Sequence, residues 1–253
     1  MNITTKDKKV QAQSEKRELA KRLQAEINRM QGLGNIRGEV KAGFAPFSSA
    51  FPGNVFPTGA IHEFISYEPA DAASTSGFMA ALGGLFMKDG GLCVWVGNGT
   101  KVFPSALSHF GLGPDRIVFI NTSAQRDLLW IIEETLKCEG ITLVVGEIKE
   151  LGFTESRRLQ LAVERSGVTG LVHRHKPRSE NAVACTSRWK ITSRPGIVYD
   201  DLPGIGYSCW DVELLKVRNG RPGSWQIGWS GDGFVPAGRQ PVADSSIFER
   251  QAG

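Results

Sequence analysis

Four cysteines in 253 residues, none within a C-x-x-C pair, are too few and too scattered for a disulfide framework or a thiolate metal site. Cys93, Cys138, Cys185 and Cys209 are therefore expected to be buried, reduced thiols. No apolar run comes near the roughly 20 residues that span a bilayer, and the polar N-terminus is not that of a signal peptide. Both absences predict a cytoplasmic chain without membrane contact. There is no G-x-S-x-G nucleophile elbow, and no cysteine has an obvious catalytic base as its partner in sequence, which removes the common nucleophilic hydrolases. Also missing is G-x-x-x-x-G-K-[ST], the loop that cradles a triphosphate. That gap weighs most, because the surroundings of such a loop are present.

A hydrophobic share of 41% and a charged share of 22% fit a globular chain, long enough for one large α/β core with an accessory segment. The stretch Ala60–Ser66 reads as a buried-type strand and the apolar Phe78–Phe86 as a helix. Between them, Tyr67–Gly77 stands where a phosphate loop belongs. It holds one glycine and no lysine, and it brings two acids, Glu68 and Asp71, beside Ser74 and Gly77. A triphosphate needs converging backbone N–H groups and a cation. Carboxylates in that place repel it. The reading is a degenerate phosphate loop, with no catalytic residue, no bound cofactor and no metal expected.

Charge is placed unevenly. Residues 1–41 carry ten basic and five acidic side chains, a net of +5 against +4 for the whole chain, so the remainder is close to neutral. A helix is predicted over about residues 8–31, with Leu19, Leu23, Ile27 and Met30 forming one stripe and Gln31–Gly34 ending it. Acids among the bases argue against a dedicated phosphate-tracking arm. Residues 1–42 are read as this arm and residues 43–236 as the core. The Pro- and Gly-containing stretch Phe44–Gly59 reads as a linker between them. Residues 237–253 lack an apolar pattern and read as a disordered tail.

Within the core, largely apolar strands recur at Leu92–Gly97, Arg116–Asn121 and Ile141–Gly146, with Val168–His173 as a weaker example. Helical stretches fall between them at Phe103–Phe110, Ala124–Cys138 and Thr154–Ser166. Such strands are buried on both faces, as in a parallel sheet flanked by helices. From Ala182 the pattern turns to period two. Asp211–Arg218, then Asn219-Gly220, then Ser224–Trp229 reads as an antiparallel hairpin whose Asn-Gly favours positive φ. The fold class expected is α/β: an open, mostly parallel sheet with an antiparallel C-terminal extension and an N-terminal helix.

Several residues together carry a resemblance: Gly59–Glu63, Trp95, Phe110–Arg116 leading into a strand, Asp127–Trp130 with Glu133-Glu134, and Arg157–Leu161. They resemble the ImuA family, RecA-like accessory proteins of SOS-induced, error-prone translesion DNA synthesis that are related to the division inhibitor SulA. The resemblance covers about Phe51 to Val235. It implies a RecA-like core working in a non-replicative mutagenesis complex. It also implies contacts with an ImuB-like homologue of Y-family polymerases and an error-prone DnaE-type polymerase, with RecA as a further contact. Two other readings stand beside it, a divergent nucleotide hydrolase built around Ser74–Gly77 and a SulA-like inhibitor of FtsZ. The extra basic N-terminal helix favours ImuA over the shorter SulA.

Candidate contact residues are Leu19, Leu23 and Ile27 of the arm, and Lys216, Arg218 and Trp225 of the hairpin. By the same resemblance, Lys216 and Arg218 match basic residues that reach a neighbour's ATP in recombinases. Without a bound nucleotide they read as ion pairs across the hairpin. Trp189, Trp210, Trp225 and Trp229 cluster in the C-terminal third and suit either an interface or a packed sheet face. Glu147 ends a strand where a nucleotide-binding fold keeps its Mg²⁺ carboxylate, and is read as structural. Glu63, inside a buried strand, calls for a basic or backbone donor, while His62 beside it faces the other way. His173–Arg178 is a basic cluster read as a solvated loop, with His173 and His175 on one face.

Overall fold

Glu18, Leu19 and Leu23 and residues 44–99, 102–197 and 206–237 are described by a computed structural model. Most of the predicted N-terminal helix, including Ile27, lies outside the described residues, as do the arm's boundary at residue 42 and positions 238–253 of the tail.

Each all-apolar run forms a strand, because only a position covered on both faces favours such a run. In chain order the elements are β1 (Ile61–Ser66), α1 (Pro69–Phe86), β2 (Cys93–Gly97), α2 (Pro104–Leu107), β3 (Ile117–Asn121), α3 (Gln125–Leu136), β4 (Leu143–Ile148), α4 (Phe153–Ser166) and β5 (Thr169–His175). The strands β6 (Ser187–Ile197), β7 (Tyr207–Val217), β8 (Gly223–Trp229) and β9 (Phe234–Pro236) follow. They join one sheet of order β3-β2-β4-β5-β1-β6-β7-β8-β9. Neighbours from β3 through β6 run parallel, and β6 to β9 pair antiparallel. The fold is thus α/β with a mostly parallel sheet flanked by helices and an antiparallel C-terminal extension, as the alternation of patterns predicted.

Two cores lie on the two faces of the sheet. One gathers Phe64, Phe78, Trp95, Trp189, Trp210, Trp229 and Phe234 around α1. The other packs Ile61, Val94, Val96, Val144 and Val172 against Leu128, Ile132 and Leu136 of α3 and Leu159 and Val163 of α4. α1 passes very close to the turn after α2: a Cβ on Gly84 would stand 1.8 Å from the Phe110 carbonyl oxygen, so only glycine fits.

Four expectations need correction. The stretch Tyr67–Gly77 is not a loop. α1 begins at Pro69, so only Tyr67 and Glu68 separate it from β1. Proline suits the first helical turn, three alanines follow it, and the hydroxyls turn back on the helix: Thr75 Oγ1 donates to the Asp71 carbonyl at 2.6 Å and Ser76 Oγ to that of Ala72 at 3.1 Å. The stretch Phe44–Gly59 is not a linker either, since Phe44, Phe47, Phe51 and Phe56 are all buried in the aromatic core. The stretch Phe103–Phe110 is the four-residue α2 followed by a 3-10 turn, Ser108–Phe110. Finally, the β7–β8 connection spans residues 218–222, with Asn219 at φ 57° but Gly220 outside the left-handed region. Gly220 is needed instead for close approach: a Cβ there would stand 2.2 Å from the Ala50 carbonyl oxygen, which accepts the Arg221 N–H at 2.9 Å.

Candidate functional site

In an open α/β sheet the loops at the carboxyl ends of the strands diverge to opposite faces and leave a crevice. Here β1 and β2 lead into α1 and α2 over the aromatic face, whereas β3 and β4 lead into α3 and α4 over the aliphatic one. The resulting cleft holds about 540 Å³ and lies between α1, the segment after β2, and the ends of β4 and β5. Ala72, Ala73, Val102, Leu107 and Phe110 wall it. Glu147, His173 and His175 face into it from the strands, and exposed Lys149 stands on its rim.

Glu147 takes its place from β4, whose alternation puts Leu143, Val145 and Glu147 on the aromatic side. The indole N–H of Trp95 on β2 donates to its Oε1 at 2.8 Å. Burial pushes the carboxyl above its usual range, and the indole bond partly offsets this. On β5, His173 and His175 both reach the hydroxyl of Ser66, at 2.8 and 3.0 Å, so they do share a face. Burial lowers His173 to about 4, with His175 adding to the effect, so its imidazole is neutral near pH 7. Among the described residues no group of three or more His, Cys, Asp or Glu is placed to hold a metal ion.

On the opposite face, Glu63 has the basic partners its burial demanded. Arg174, fully buried, donates to Oε1 at 2.8 Å, and Arg188 donates to Oε2 at 2.6 Å. The two guanidinium groups also bond the carbonyls of Ser179 and Asn181, at 3.1 and 2.6 Å, and so fasten the chain between β5 and β6. The basic cluster His173–Arg178 is therefore no solvated loop, since its first three residues belong to β5 and Arg174 is core. His62 indeed faces away from Glu63, with its ring nitrogens 2.6 Å from Ser187 Oγ and 2.8 Å from the Pro57 carbonyl oxygen.

The remaining sequence-predicted residues are dispersed. Glu68 and Asp71 do not line the cleft: Glu68 precedes α1 on the surface, and Asp71 Oδ1 accepts the Ser193 N–H at 3.2 Å. Ser74 and Gly77 are helical, and Gly77 lines the cleft. Lys216 donates to the Val183 carbonyl at 3.3 Å and Arg218 is half-buried, and neither forms an ion pair among the described residues. Trp225 packs edge-on to Phe47, 6.1 Å away, and Trp189, Trp210 and Trp229 are buried, so the cluster fills a sheet face. The exposed indole is Trp130 on α3, at 62%. Leu19 and Leu23 are helical and exposed. Three cysteines are buried, but Cys138 is exposed, against expectation.

Comparison with known proteins adds the family. No model of a protein family matches the chain. Two curated relatives do, both named Protein ImuA, from Caulobacter vibrioides strains NA1000 / CB15N and ATCC 19089 / CIP 103742 / CB 15. Each is 33% identical over 218 residues, covering 80% of this chain and 89% of the relative. This chain belongs to the ImuA family. In this ImuA-family protein, the bond from Trp95 to Glu147 and the anchoring of both histidines by Ser66 escaped sequence reasoning. The one available signal was Trp95, whose indole N–H must find an acceptor when buried inside an apolar strand. Among the described residues no helix is long and apolar enough to cross a membrane.

Proposed function

We propose that this protein is a non-catalytic accessory factor of SOS-inducible, error-prone translesion DNA synthesis. It works in the cytoplasm through contacts with an ImuB-like homologue of Y-family polymerases and an error-prone DnaE-type polymerase, with RecA as a further contact. Family membership supports the pathway. The observation that carries the non-catalytic part is the two-residue connection between β1 and α1. A phosphate cradle needs several consecutive backbone N–H groups turned inward, and two residues cannot supply them. The flank of α1 that meets the cleft is bonded within its own helix, and the carboxylate opposite, Glu147, repels phosphate.

Contacts rather than chemistry then define the protein. Leu19 and Leu23, helical and exposed at 58% and 51%, are spaced to lie on one side of a helix and suit docking into an apolar groove. Changing both to Asp is expected to abolish capture of the ImuB-like partner in a pull-down while the core melts at an unchanged temperature. Retained capture would move the interface elsewhere. Calorimetry with Mg·ATP is expected to give no heat, and micromolar binding would overturn the non-catalytic reading.

A further inference from the structure

The cleft under α1 carries a chemistry opposite to that of a nucleotide site. Its single carboxylate is oriented: Trp95 holds Glu147 Oε1 at 2.8 Å, and Oε2 has no hydrogen-bond partner among the described residues. A carboxylate accepts about four hydrogen bonds, so the described residues leave most of its capacity open to the cleft. Of the two histidines across from it, both held by the Ser66 hydroxyl, His173 is buried and brings no fixed positive charge. α1 contributes the side of its first turns, starting at Pro69, which has no N–H to offer. Pro69, Ala72, Ala73, Ser76 and Gly77 form one helical stripe, with the Ser76 hydroxyl turned back on the Ala72 carbonyl. The remaining walls are Val102, Leu107 and Phe110, and Lys149 on the rim is exposed, where water and salt screen it.

We propose that this cleft binds a guanidinium or amidinium group carried on an apolar stem, its N–H donors on Glu147 and its stem against Leu107 and Phe110. A planar cation is more weakly hydrated than an ammonium, so it enters an apolar slot at lower cost and matches a carboxylate with paired donors. The volume suits a small organic molecule or one long side chain. Recognition here depends on Glu147 and the walls alone, and not on the identity of any polymerase partner.

Three isosteres of one shape separate charge from fit: p-aminobenzamidine, neutral p-aminobenzamide and anionic p-aminobenzoate, titrated into the full chain by fluorescence. The amidine is expected to bind saturably at or below about 1 mM, about tenfold or more tighter than the amide, and the benzoate not at all. Glu147→Gln should weaken the amidine about tenfold while leaving the amide within about twofold. Ala73→Trp, at a position that lines the cleft yet is exposed, should block both by filling the space while the chain still melts at the wild-type temperature. Equal binding of amidine and amide, preference for the benzoate, or no binding of the amidine up to about 10 mM would each overturn the proposal. If Glu147→Gln lowers the melting temperature, Ala73→Trp decides instead, and undiminished amidine binding by that variant refutes the site. Displacement then identifies the source of the cation. A blocked arginine amide that displaces the probe better than agmatine indicates a side chain of a partner protein, and the reverse order indicates a free small cation.

Discussion

The two faces of the sheet bury similar stretches of the same strands with different chemistry. On the α1 side the core is largely aromatic, with Phe47, Phe56, Phe64, Phe78 and Trp189 in ring contact. On the α3 and α4 side, no aromatic residue is among the buried residues of the core. Two regular helices laid side by side leave gaps that Leu, Ile and Val fill in their preferred rotamers. One long helix, an irregular segment and a curling hairpin leave larger and less regular gaps, and flat rings fill these with the fewest atoms out of place. Polar burial divides the same way. The aromatic face holds uncharged imidazoles and the cleft, while the aliphatic face holds the Glu63–Arg174–Arg188 cluster. The side that packs less regularly is the side with room for a ligand.

Acid should separate the faces most strongly. His62 and His173, both on the aromatic face, have their pKa lowered by burial to about 4, below the usual 6.5. The unfolded chain therefore takes up protons between those values and the folded chain does not. Stability present above pH 6.5 is lost as pH falls toward 4, by roughly 3 kcal/mol for each histidine. Urea unfolding at pH 7, 5.5 and 4 measures this, and a flat profile would show that water reaches both rings. On the other face, Glu63→Gln leaves Arg174 buried beside a neutral amide and should cost about 3–5 kcal/mol at pH 7. A loss below about 1 kcal/mol would mean that the cluster is hydrated.

Packing variants sharpen the contrast further. Phe47→Ala removes a ring that touches Phe44, Phe56, Phe78, Trp189 and Phe234 and should cost about 3–5 kcal/mol. Ile132→Val, on the buried side of α3, should cost about 1 kcal/mol, since one methylene leaves a small void between regular elements. Chemical denaturation of both variants checks the difference, and equal losses would mean that the aromatic face is no harder to repack. Smallest of all, Trp130→Ala on the exposed side of α3 should change stability by less than about 0.5 kcal/mol. A larger loss in thermal melts would place that indole in a contact within the chain.

How much of this was legible depended on whether a residue's neighbours in sequence were also its neighbours in space. Among the parallel strands, β2, β3 and β4 were the most readable, because residues such as Cys93–Gly97 are apolar without interruption and only double-sided cover tolerates that. The β7–β8 hairpin was readable from its alternation and from Asn219. The first half of α1 was not. Pro69, Asp71, Ser74 and Ser76 are turn formers by local propensity, and burial of Thr75 and Phe78 against the sheet overrides that preference. Phe44, Phe47, Phe51 and Phe56 sit among prolines and glycines without any period, so their burial depends on a sheet face more than a hundred residues away, where Trp189 receives Phe47, Phe51 and Phe56.

Sequence by itself determined the alternation of strand and helix, the antiparallel extension and the absence of a lysine-bearing phosphate loop, because periodicity and missing residue types are local properties. It also required a partner for Glu63, since an isolated buried carboxylate is too costly to persist. Only the tertiary structure decided that the partners are Arg174 and Arg188, 111 and 125 residues away. It alone replaced the expected loop by a helix and moved the acid of the cleft from Glu68 and Asp71 to Glu147, held by Trp95. Hydrogen bonds and packing between distant strands set those choices, and their energies belong to pairs that the linear order of residues does not place together.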